Sequence, residues 1–98
     1  MKIYRQGDVI LRKLDEKNEI ITREYTDSDY KISDKLSISG ETGNTHELDA
    51  TVYSIHGTQY VVVETPTLLK HNEHHDIEIE PGIYRVDTVR DFRNRRMD

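Results

Sequence analysis

The stretch Thr51-Val52-Tyr53-Ser54-Ile55-His56-Gly57-Thr58-Gln59-Tyr60-Val61-Val62-Val63 decides the fold class. Two runs rich in β-branched and aromatic residues, Thr51–Ile55 and Gln59–Val63, flank a His56-Gly57 pair. That pattern predicts an antiparallel hairpin with its turn at Gly57, where positive φ carries no Cβ penalty. Upstream, Leu36-Ser37-Ile38-Ser39-Gly40 alternates apolar and polar residues, as a half-buried strand does. Asp8–Leu14 is a short run of Val, Ile and Leu bounded by Gln6-Gly7 and the polar Asp15–Asn18, so it also reads as a strand. Glu19–Tyr25 is a further strand candidate, Thr26–Lys35 a polar loop and Glu41–Thr45 a tight loop around Gly43.

Downstream, Ile77 and Ile79 alternate with Glu78 and Glu80, Pro81-Gly82 has turn chemistry, and Ile83–Val89 follows as a return strand. This predicts a second hairpin with Glu and Arg paired across it. Thr65-Pro66-Thr67-Leu68-Leu69-Lys70 carries a capping residue followed by Pro, which leaves room for a turn or two of helix as the one exception to the strands. The expected fold is mainly β, a small antiparallel barrel or sandwich of about six or seven short strands with at most one short helix.

The bulk numbers fit that reading. The 98 residues are 34% hydrophobic and 34% charged, with no Cys and no Trp. A chain of this length buries about 65% of its surface on folding, enough for one core, so residues 1–98 are expected to form a single domain. No apolar run approaches membrane-spanning length, and the N-terminus lacks a signal segment, so a cytoplasmic protein with no membrane contact is expected. The net charge of −5 argues against steering toward nucleic acid, in spite of Arg90, Arg93, Arg95 and Arg96 near the end. Without Cys, a transition-metal site has to use His and carboxylate.

Chemistry concentrates in the histidines. Three of five lie in His71-Asn72-Glu73-His74-His75, and His46 follows the Gly43 turn. Imidazole titrates near neutrality and is the commonest metal ligand. Three readings compete. His46, His71 and His74 could ligate a divalent transition metal such as zinc, leaving a fourth position open, with Glu41 or Glu73 as base or supporting carboxylate. Two histidines could instead form a metal-free acid/base pair that cleaves an ester or phosphodiester. Or the segment is a solvated loop between strands. His56 reads as plain surface, Glu64 as a surface acid and the six Tyr as core and rim filling.

Taken in order, Gln6-Gly7-Asp8-Val9, Ser39-Gly40-Glu41-Thr42-Gly43-Asn44-Thr45-His46, His71-Asn72-Glu73-His74 and Pro81-Gly82-Ile83-Tyr84-Arg85-Val86 resemble a small uncharacterised family of bacteria, archaea and their viruses. Its motifs run QGDV, GExTGHxH, HxEH and PGxYxV, and the resemblance covers most of the chain. It implies that His46, His71 and His74 belong to one constellation. It carries no known activity. This chain departs from the pattern at Asn44, where the family has His, and it adds His75. The functional expectation is a His-lined ligand or metal site, with hydrolysis as one outcome. The candidate catalytic residues are Glu41, His46, His71, Glu73 and His74. The alternative is a non-catalytic interaction module, a homo-oligomer or one that binds a protein partner, since short β-hairpins leave edges that pair readily.

Overall fold

The computed structural model describes residues 2–14, 30–39 and 45–88. Among these residues ten strands run in the order β1 (Ile3–Gln6), β2 (Val9–Lys13), β3 (Lys31–Ser33), β4 (Leu36–Ser39), β5 (Thr45–Leu48), β6 (Thr51–Ile55), β7 (Thr58–Val63), β8 (Thr67–His71), β9 (Ile77–Ile79) and β10 (Gly82–Thr88). No helix occurs among the described residues. The strands form a six-stranded sheet, β1-β2-β10-β7-β6-β3, and a four-stranded sheet, β4-β5-β8-β9. All pairings are antiparallel. The sheets do not close into a barrel; the architecture is sandwich-like.

The period-2 alternation of each strand builds the core. Val9, Leu11, Val52, Val61, Val63 and Tyr84 from the larger sheet pack against Leu36, Leu48, Leu69 and Ile79 from the smaller one. Opposite register partners, such as Val52 with Val61 and Val61 with Tyr84, keep each apolar set on one face. Ile55 and Tyr60 form a second small cluster with Leu14, Tyr30 and Ile83.

The hairpin at His56-Gly57 forms as expected, and β7 begins at Thr58. Both turn residues have positive φ, 51° at His56 and 81° at Gly57, which suits a tight connection between right-twisted strands. Three expectations are corrected. The segment Thr65–Lys70 is not helical: Thr67–His71 is strand β8, with Leu69 buried and its neighbours Leu68 and Lys70 exposed. A strand there gives Leu69 a core position that one helical turn at the surface would not. Second, β9 and β10 are not a hairpin. Strand β9 pairs with β8 and β10 with β2 and β7, so Pro81-Gly82 carries the chain from one sheet to the other. Third, Thr26–Lys35 is not all loop, because Lys31–Ser33 pairs with β6 through a bulge. Glu19–Tyr25, Gly40–Asn44 and the arginines from Arg90 onward lie outside the described residues. Among the described residues no helix is long and apolar enough to cross a membrane.

Candidate functional site

Strand β5 reads Thr45-His46-Glu47-Leu48, and its alternation turns His46 and Leu48 toward the core. Strand β8 turns Thr67, Leu69 and His71 the same way, and its pairing with β5 sets His71 directly opposite His46. The two rings lie 4.2 Å apart between centroids, tilted by 40°. The chain then turns through Asn72–Asp76 and brings His74 back, 4.5 Å from the His71 ring and 6.3 Å from the His46 ring. Three imidazoles thus share one end of the sandwich, graded in exposure: His46 is 3% exposed, His71 intermediate and His74 exposed.

The β1–β2 turn closes this end. Gly7 has φ 56°, and a Cβ there would stand 2.9 Å from His74 Nε2 and 3.3 Å from His46 Cε1. The absent side chain is what lets the turn lie against both rings. Gln6, 2% exposed on the inner face of β1, reaches across to the smaller sheet. Its Nε2 donates to Leu69 O and to His75 O, each at 2.9 Å, and its Oε1 lies 2.9 Å from His46 Nδ1.

The Nδ1 atoms of His46 and His71 are engaged in opposite senses. The Gln6 amide places its oxygen on His46 Nδ1, so that nitrogen bears the proton and donates. His71 Nδ1 instead accepts two backbone N–H groups, from Glu73 and His74, each at 3.0 Å. A nitrogen accepting two hydrogen bonds holds the lone pair, which puts the proton of neutral His71 on Nε2. The pair therefore offers one Nε2 acceptor, on His46, and one Nε2–H donor, on His71. Burial pushes the His46 pKa down, and the neighbouring His71 and His74 push it further; the Asp8 carboxylate acts weakly the other way. His46 is accordingly neutral at pH 7.

Of the expected site residues, His46, His71 and His74 come together, Glu73 is exposed and contributes its backbone N–H to His71, and Glu41 lies outside the described residues. His75 contributes its carbonyl rather than its ring. His56 and Glu64 are exposed. Among the described residues no set of three His, Asp or Glu groups is arranged to hold a metal ion. Gln6 and Gly7 belong to the Gln6-Gly7-Asp8-Val9 motif but are not among the expected site residues. Gln6 binds partners 40 to 69 positions away in the chain, which no local pattern carries. A shallow cleft of about 420 Å³ adjoins His71, lined also by Thr45, Glu47, Lys70, Asn72 and Asp76.

No curated protein and no solved structure matches this chain. A family model does, over residues 5–88, a span that takes in Gln6, Gly7 and all three clustered histidines: the chain belongs to the family described as a domain of unknown function, DUF8820.

Proposed function

We propose that the histidine end is a ligand site that works by metal-free proton transfer, suited to hydrolysis of an ester or phosphodiester. The observation that carries this reading is the opposed engagement of the two Nδ1 atoms, which leaves an acceptor and a donor side by side. A water molecule gives its proton to His46 Nε2 as its oxygen bonds to the acyl carbon or phosphorus. The oxyanion that develops accepts a hydrogen bond from His71 Nε2–H; a neutral imidazole serves there as a donor without surrendering its proton. When the bond to the leaving alcohol breaks, the His46 imidazolium returns its proton to that oxygen, and neutral His46 is restored. His74 stands exposed beside them.

A metal ion fits the resting arrangement less well. A ligating histidine donates its other ring N–H to a neighbour. His46 does so through Gln6, whereas His71 Nδ1 faces two donors and would have to release Glu73 and His74 first.

The test is hydrolysis of 4-nitrophenyl acetate and bis(4-nitrophenyl) phosphate with EDTA present. His46→Asn is expected to lower the rate by about 10²-fold or more, the scale of a positioned general base. The wild-type rate should rise with pH below 6.5 and level off above it, as neutral His46 becomes the full population. Equal rates for wild type and a folded His46→Asn variant, or activity that appears only on adding Zn²⁺, would sink this reading.

A further inference from the structure

We infer that Gln6 is the positioning residue of this site: it decides which nitrogen of His46 carries the lone pair. The inference rests on the reading of His46 as proton acceptor. Strand β5 fixes where the His46 ring sits, but a neutral imidazole can carry its proton on either nitrogen, and burial alone does not choose between them. The choice falls to the group that meets Nδ1, and an amide can present either its oxygen or its NH₂.

Here the amide has no freedom to turn. Both Nε2 hydrogens are taken by carbonyl oxygens, Leu69 O and His75 O, at 2.9 Å each. Reversing the amide would set Oε1 against those two oxygens and the NH₂ against His46 Nδ1, losing two hydrogen bonds and adding repulsion. In a group only 2% exposed, water is not at hand to relieve that mismatch. Two backbone carbonyls therefore fix Gln6, Gln6 fixes Nδ1–H, and Nε2 is left as the base.

The carbonyls also come from separate pieces of chain. Leu69 belongs to β8, and His75 to the segment between β8 and β9 that carries His74. Gln6 thus ties β1, the His46 ring, β8 and the His74 segment into one unit. Its role is more than filling space between sheets, and a side chain of equal length without hydrogen-bonding atoms separates the two roles.

The experiment is two-bond ¹H–¹⁵N correlation on protein labelled at histidine nitrogen, comparing wild type, Gln6→Met and Gln6→Glu. In wild type, His46 Nδ1 should fall in the protonated range and Nε2 in the unprotonated range. In Gln6→Met both nitrogens should move toward averaged shifts, and hydrolysis of the two nitrophenyl esters should fall about 10-fold or more, as for other partners that orient a working histidine. Gln6→Glu sets a carboxylate against His46 and against the carbonyls of Leu69 and His75, so His46 should shift toward the doubly protonated form. An unchanged His46 tautomer in Gln6→Met overturns the inference. So does wild-type His46 with its proton on Nε2, which serves as the measurement if Gln6→Met does not fold. Because the tautomer is read without substrate, wild-type hydrolysis by His46→Asn would remove the proposed function and leave the role of Gln6 to be judged by its own spectra.

Discussion

Tyr4 and Gln6 stand two positions apart on the inner face of β1, and each reaches a different polar cluster. The Tyr4 hydroxyl donates to Glu80 Oε1 at 3.4 Å and accepts the Glu80 N–H at 3.3 Å. The Glu80 carboxylate also carries Lys2 at 2.8 Å and Lys13 at 3.3 Å, while the Tyr84 hydroxyl donates to the Glu80 carbonyl at 2.6 Å. The Tyr4 and Tyr84 rings pack 5.8 Å apart. In this cluster charges are opposed and each tyrosine hydroxyl has a hydrogen-bond partner, which describes a brace between the sheets. At the Gln6 end, two imidazoles are clamped through Nδ1 and keep Nε2 in hand. Saturated polar groups stabilise. Oriented groups with a nitrogen to spare can do chemistry on something else.

The change expected to disturb this contrast most is Gly7→Val. Its φ of 56° lies in the left-handed region, which a β-branched residue resists, and its Cβ would meet the His74 and His46 rings. Strain of this kind costs about 1–3 kcal/mol. Urea denaturation should show that loss, and the His46 and His74 ring signals should move while those of Tyr4 and Tyr84 stay in place. Tyrosine signals moving as far as the histidines would show that the two ends are not separate units.

Tyr84→Phe is the smaller, reciprocal change. Tyr84 is fully buried, and burial pushes its phenol well above the ordinary range, so it remains a neutral donor to Glu80 O. Removing the hydroxyl leaves that carbonyl without its donor, at a cost of about 1 kcal/mol. Denaturation should report the loss with the His46 tautomer and the ester hydrolysis rate unchanged. A fall in rate comparable to that of Gln6→Met would place the brace inside the site.

The two ends also differ in how far the sequence discloses them. The β6–β7 hairpin is legible because His56-Gly57 supplies the positive φ that its turn requires. The grouping of His71 with His74 is local, and the inward parity of β5 brings His46 to them. What misleads is chemistry shared by two structures. Pro81-Gly82 suits a hairpin and a passage between sheets equally, and Thr65-Pro66 precedes a strand as readily as a helix. Strand β1 reads Ile-Tyr-Arg-Gln, whose inward pair is an aromatic and an amide rather than two aliphatic residues. Its contribution appears only when the smaller sheet supplies the carbonyls of Leu69 and His75 and the backbone of Glu80.

The smallest signal, and the finest division between the clusters, is in pH. Both groups at issue have lowered pKa values in the fold, for different reasons: His46 through burial and its imidazole neighbours, Glu80 through hydrogen bonds from Lys2 and then Lys13. A lowered pKa means the unfolded chain takes up the proton first, so stability falls as pH falls in both cases. The windows are separate. The His46 contribution is complete above 6.5 and is lost as pH drops from there toward its folded pKa. The Glu80 contribution persists to about 4.5 and is lost below that. Stability measured against pH should therefore descend in two steps, the upper one absent in His46→Asn and the lower one absent in Glu80→Gln. Salt should flatten the lower step, where partly exposed lysines face a partly exposed carboxylate, and leave the upper step largely unchanged, because burial rather than a surface ion pair sets it. A single step, or an upper step that salt removes, would mean that His46 is governed by surface charge and that the two clusters are not finished as differently as their hydrogen bonds indicate.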